Sequence, residues 1–394
     1  MSKRSILITL FVLLGMLPTL GLSLFSIYRH TDWYVRNYAT WGEKQLEIPL
    51  EIGAVRHHAF QRGTLESITV FQPGPTAEGE RLPLATLDRA DWIQYGILRD
   101  GEERQLLRWT VPELTLDAHG LEPLWNVHRQ LLSGDDFWKT HELAIQIDGV
   151  VRVGFEEDAL ELQKATLRIR MENGVPITEI RFLVPDGERM AQVSVTLQRI
   201  VQHSAQIMQA TLATDTAGLP THYLKGLFPM LEKLGRTCRF TGSIAIQQSF
   251  SRWSGYFRGR FDFVDTSVFL APDSVTGLGT LNVEKARFDG ARLVMAEGTF
   301  QITQGTISRA FLDRIMRITQ LSTRGIPLEP TATQNFRELA FRFSVSDTQM
   351  QIYGQCAGYG SGVFMTSVNG PILCEPSFLR GPFSRAVFME TLMK

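Results

Sequence analysis

Cysteine is scarce in this 394-residue chain, which carries only Cys238, Cys356 and Cys374. Three thiols cannot build a disulfide scaffold. In an oxidising compartment Cys356 and Cys374 are a candidate pair, and buried, unreacted thiols are the other reading. An excess of one charge is also missing. Lys plus Arg total 40 against 41 Asp plus Glu, a formal net charge of −1, which argues against a nucleic-acid partner.

Local catalytic signatures are missing too. There is no G-x-S-x-G, no G-x-x-x-x-G-K-[ST] and no G-x-G-x-x-G; Gly354, Gly358, Gly360 and Gly362 read as a bend or a close backbone approach. Among eight histidines, His141-Glu142 lacks the second histidine of H-E-x-x-H, and the adjacent His57 and His58 would point to opposite faces of a strand. His128 lies on an apolar helical stripe and reads as a core histidine. Asp135-Asp136 and Glu156-Glu157-Asp158 read as solvated turns. The chain therefore offers no metal or cofactor ligand set and no catalytic residue. A hydrolase would need a pocket bringing His57, His119 or His203 to carboxylates.

Long hydrophobic runs are missing after the first 28 residues, which contain the one example. Lys3 and Arg4 precede an uncharged run from Ser5 to Tyr28. As a helix it spans about 36 Å, enough for the roughly 30 Å hydrocarbon core. A cleaved signal peptide is the competing reading, but the run is long for one and no A-x-A-like site is clear. Tyr28, Trp33, Tyr34 and Tyr38 follow as an interfacial aromatic belt.

Two-residue alternation dominates what remains, the period of strands with one buried face. Trp253, Gly255, Phe257, Gly259, Phe261 and Phe263 share one parity against Ser254, Tyr256, Arg258, Arg260 and Asp262. Leu339, Phe341, Phe343 and Val345 likewise oppose Glu338, Ala340, Arg342 and Ser344. Asn173-Gly174, Asp186-Gly187, Asp289-Gly290 and Asn369-Gly370 supply hairpin turns, and Gln72–Arg81 reads as an exposed loop. Helical spacing is confined to three short stripes: Leu121 to Leu132, Leu224 to Leu234 with Pro229 inside it, and Ile307 to Leu321. A meandering antiparallel sheet follows. Three short helices cannot cover so many apolar faces. Such a sheet must pack on a second sheet as a sandwich or curl into a trough that meets a hydrophobic ligand, and the pattern is the same for both.

The order of features resembles the AsmA-like family of bacterial envelope proteins. The resemblance rests on the N-terminal run and on Gly120–Trp125 after the strand-like Leu106–Leu116. It rests more on Leu234–Gly242, Trp253–Gly259, Phe263–Asp265 and Ala296–Ser308. It covers mainly the C-terminal half. It implies a mainly β protein: an elongated, curled antiparallel sheet with an apolar groove and a few short amphipathic helices. One transmembrane helix (5–28) would stand before two β-rich regions, 29–217 and 218–394. The implied role is non-enzymatic: lipid movement or envelope assembly from the inner membrane, with the bulk of the chain periplasmic. Lipid acyl chains would be the ligand, and Trp253, Phe257, Phe261, Phe263, Leu339, Phe341, Phe343 and Val345 the lining. The alternative expectation is a closed sandwich that scaffolds an envelope protein partner.

Overall fold

Hairpin turns fall where the glycine pairs expect them. In the computed structural model, Asn173 and Gly174 take φ of 52° and 77°, Gly187 and Gly290 also lie at positive φ between strands, and Gly370, at φ 125°, opens a strand. The structure describes Ser23 and residues 25–46, 48–72, 81–99, 101–117, 121–132, 135–155, 158–202, 205–224, 229–249, 252–269, 274–290, 292–323, 333–376 and 382–386. The chain is mainly β and divides into two units, Met1–Thr178 and Glu179–Lys394.

Most of the Ser5–Tyr28 run, and most of the Gln72–Arg81 loop, lie outside the described residues. Among the described residues no helix is long and apolar enough to cross a membrane. The first long helix, α1 (Asp32–Leu46), carries the aromatic belt. Tyr28, Trp33, Tyr34, Tyr38 and Trp41 form a chain of ring contacts, with Trp33 and Trp41 exposed.

In the first unit β1 (Leu50–Ala59), β2 (Arg62–Phe71), β3 (Pro83–Arg99) and β4 (Glu102–Val111) form an antiparallel meander. Pro112 separates β4 from β5 (Leu114–Asp117), because it has no N–H for the ladder. The expected meander then gives way to a crossover. The helices α2 (Leu121–Leu131) and α3 (Asp135–Thr140) return the chain so that β6 (His141–Ile147) runs parallel to β4, and β7 (Val150–Phe155) parallel to β5. Parallel neighbours need such a connection, since a two-residue turn joins only antiparallel ones. β8 (Asp158–Glu172) pairs antiparallel with both β6 and β7. Asp135 and Asp136 therefore lie in a helix rather than in a turn.

Trp125, Leu132 and Trp138 bury the crossover, and His128 sits on the same stripe, 8% exposed, with Nε2 lacking a hydrogen-bond partner among the described residues. Burial pushes its imidazole down to about 4. An unfolded histidine titrates near 6.5, so stability is full above that pH. It falls by ~1.4 kcal/mol per unit as the pH drops towards 4, because only the unfolded chain takes up the proton. Between pH 7 and pH 5 the native chain should lose about 2 kcal/mol more than His128→Leu in urea titrations. Equal losses in the two proteins would contradict this.

The second unit is antiparallel throughout. β9 (Val175–Asp186), which begins just before the division, pairs with β10 (Arg189–Gln202), and β10 with β11 (Ala205–Thr214). After β12 (Leu219–Pro220) come the short 3-10 turns Thr221–Leu224 and Pro229–Leu234; residues 225–228 of the expected helical stripe lie outside the described residues. β11 and β12 both pair with β13 (Arg239–Ser249), which pairs with β14 (Arg252–Asp265). Strands preceding residue 217 thus belong to the same sheet as those following it. A short helix, α4 (Thr266–Phe269), and β15 (Val275–Thr276) lead to β16 (Leu278–Asp289) and β17 (Arg292–Ile302), which continue the sheet from β14.

β18 (Gly305–Ser308) then enters α5 (Arg309–Thr319), whose N-cap Ser308 accepts from the Phe311 amide at 3.3 Å. Ile307 belongs to β18, so the helical stripe begins two residues later than its spacing suggests. Past β19 (Ser322–Thr323), β20 (Thr333–Phe336) joins β15 and β18 in a small separate sheet. The main sheet closes with β21 (Glu338–Val345), β22 (Gln349–Gly354), β23 (Val363–Ser367) and β24 (Gly370–Cys374). The bend between β22 and β23 uses Gly358, Gly360 and Gly362, all at positive φ, and an added Cβ on Gly354 would lie 2.5 Å from the Val363 backbone.

Candidate functional site

Strand register decides which side chains share a face, and in the second unit it assembles one apolar surface. Phe240, Phe261, Leu281, Phe300 and Phe341 lie opposite one another in turn across β13, β14, β16, β17 and β21. Ile244, Phe257, Ala286, Ala296, Val345 and Met350 make a second row, extended to β22. Between these rows runs a third: Gly242, Gly259, Val283, Gly298, Phe343 and Ile352. Six strands at about 4.8 Å spacing make the surface ~24 Å wide.

Glycines let the rings of this face lie flat. A Cβ on Gly298 would lie 2.9 Å from the Phe343 ring, one on Gly259 2.8 Å from Phe240, one on Gly255 2.6 Å from Phe288, and one on Gly279 2.9 Å from Phe300. Each ring lies down over a glycine of the neighbouring strand. An aromatic side chain laid over a glycine shields part of its own area. Phe240, Val283 and Ala286 are buried by their neighbours. Phe257, Leu281, Phe288, Phe300 and Phe341 remain half-buried, more accessible than the sealed interior of a sandwich.

The opposite face is polar. Tyr256, Arg258, Arg260, Arg287 and Arg342 are exposed, and Arg342–Glu284 (3.0 Å) and Arg260–Asp262 (2.7 Å) tie neighbouring residues together. These pairs reach into water and contribute little individually, but they fix which face is wet.

Seven of the eight lining candidates take their expected parity. Trp253, Phe257, Leu339, Phe341 and Val345 are half-buried, and Phe261 and Phe343 are buried under their neighbours. Phe263 does not follow. Phe261 pairs with Leu281 but Val264 pairs with Gly279, so one extra residue sits between them. Phe263 occupies that bulge at φ 60° and is 47% exposed, while Val264, 1% exposed, takes the place on the apolar face. A second bulge, between Val283 and Lys285, breaks the alternation of β16 and hides Leu281 and Phe288 from a strict two-residue count. Phe240 and Phe300 needed the pairing itself, because only cross-strand neighbours show that they extend one row.

No constellation of reactive groups accompanies this face. Among the described residues no cluster of His, Cys, Asp and Glu is arranged for a metal. His57 meets Tyr34 Oη at 2.6 Å rather than a carboxylate, and His119 and His203 lie outside the described residues. Cys238, Cys356 and Cys374 are buried cysteines outside any disulfide, and burial pushes the Cys238 thiol up to about 11 and that of Cys356 to about 12. Cys356 and Cys374 share an apolar cluster with Ala340 and Val363, and the Cys238 and Cys356 thiols, held protonated this firmly, are poor nucleophiles. Comparison with protein-family models, with curated proteins and with solved structures finds no match.

Proposed function

We propose that the second unit shelters lipid acyl chains on its apolar sheet face, as part of a membrane-anchored protein of the bacterial cell envelope. The observation that carries this reading is the half-burial of Phe257, Leu281, Phe288, Phe300 and Phe341 across adjacent strands, with a charged face behind them. A surface ~24 Å wide has room for an acyl chain, which covers about half of a roughly 30 Å bilayer core. Each CH₂ withdrawn from water contributes about 0.8 kcal/mol, so even partial coverage holds a chain against return to water. The work is burial and needs no catalytic group.

The anchor is the apolar run Ser5–Tyr28, with the bulk of the chain on the periplasmic side of the inner membrane. Exposed Trp33 and Trp41 support the placement, because amphipathic indole rings favour the membrane–water boundary. Phe257→Asp puts a charge on the acyl face and is expected to reduce co-purifying lipid several-fold. Tyr256→Asp, one residue away on the wet face, leaves lipid unchanged. Circular dichroism checks that both variants keep their strand content. Equal lipid in the two variants would remove the assignment of this face and favour a scaffold that works through a protein partner.

A further inference from the structure

The first unit holds a cavity of a different chemistry, independent of the acyl-chain reading. It lies at one end of β3, β4 and β8, has a volume of about 450 Å³, and is lined by Arg99, Glu102, Arg104, Arg170, Glu172 and Asn173 among others. Its charges come from one face of the sheet. Leu106 pairs with Glu142 and Ala144 with Arg168, so Arg104, Glu142, Arg168 and Arg170 share a side. Ile97 pairs with Arg104 and Arg99 with Glu102, which adds Arg99 and Glu102 to the same side.

Most of these groups are already matched. Glu142, fully buried, accepts from Arg99 Nη1 and Arg168 Nη2, both at 2.9 Å. Glu102 takes Arg104 Nη2 at 3.1 Å, and Glu172 takes Arg170 Nη2 at 3.0 Å. Among these pairs four guanidiniums meet three carboxylates. One guanidinium stands out. The Arg104 side chain is 11% exposed, and its Nε and Nη1 are enclosed without any acceptor among the described residues. An enclosed, unmet donor costs about 1–3 kcal/mol, more when it is charged, so it calls for an acceptor.

We propose that this cavity binds the phosphate group of a phosphate monoester, with Arg104 as its principal donor and Arg99 and Arg170 as the flanking positive charge. A tetrahedral oxyanion supplies several acceptors at once and carries negative charge. The volume is more than ten times the roughly 30 Å³ share of one water, so it admits the group together with part of what it is esterified to. A lipid headgroup and a soluble phosphate compound present the same chemistry here.

The test is titration calorimetry on the full chain in detergent, with inorganic phosphate as one probe and dihexanoyl phosphatidic acid, below its micelle concentration, as the other. Both are expected to bind, and Arg104→Gln is expected to weaken each by about tenfold. Glu102→Gln frees Arg104 Nη2 and should tighten both several-fold, which keeps the test decisive if the arginine variant fails to fold. Markedly tighter binding of the phosphatidic acid identifies a headgroup site, and equal affinities identify a site for soluble phosphate. No heat from either probe up to about 10 mM would overturn the proposal, as would affinities that neither variant changes. The cluster would then be an ion-pair network only.

Discussion

Glu142→Ala is expected to destabilise the first unit by about 3 kcal/mol, read as a shift of its urea midpoint followed by tryptophan fluorescence. The carboxylate is completely buried and holds Arg99 through both oxygens, at 2.9 and 3.0 Å, and Arg168 through one, at 2.9 Å. Removing a buried partner costs more than the pair was worth, because the remaining charges stay behind unmatched. The figure sits at the low end of the usual range, since Arg168 is 45% exposed and rehydrates easily. Glu142→Gln keeps both the shape and one acceptor and should lose about half as much. A change under about 0.5 kcal/mol for the alanine variant would mean that the two arginines do not depend on it.

Gly298→Ala carries the second large effect, in the other unit. Its added methyl would lie 2.1 Å from the Asn282 carbonyl oxygen and 2.9 Å from the Phe343 ring. The first contact forces β16 and β17 apart and the second lifts a ring off its platform, so the loss should reach roughly 3 kcal/mol. Gly96→Ala is the matched control. It too lies in a strand, but its nearest neighbour is the end of the Gln105 side chain at 4.0 Å, and it should change stability by about 0.5 kcal/mol or less. Similar losses for the two variants would contradict the view that the rings of the apolar face rest on glycine.

The two residues differ in how far the sequence reveals them. Glu142 stands out in the chain only beside His141, as half of a metal motif that is never completed. Its use as the buried centre of an arginine pair depends on a parallel neighbour, β4, more than thirty residues earlier in the chain. No local pattern carries that, and the expected antiparallel meander points away from it. Gly298 lies in a segment already notable for glycine and aromatic residues, yet the ring above it comes from β21, after a helix and a separate small sheet.

What was legible was whatever obeys period two within a single strand. The parity of Trp253, Phe257 and Phe261 and that of Leu339, Phe341 and Phe343 both hold in the structure. Alternation fails at the bulges, where one added residue moved Phe263 to the outside and brought Val264 in. The start of α5 was placed two residues early, because Ile307 keeps the apolar spacing while belonging to β18. At the ends of the stripe around Pro229 the described residues form 3-10 turns, Thr221–Leu224 and Pro229–Leu234. Sandwich and trough remained equivalent on the page of residues, because period two records that a face is apolar and not what lies against it.

The measurement that bears most directly on the acyl-chain face is mass spectrometry of lipid extracted from the full chain after detergent purification. About one mole or more of acyl lipid per mole of protein, lost in Phe257→Asp and kept in Tyr256→Asp, is the expected result. A folded chain carrying no more lipid than a detergent-matched control protein would contradict the account.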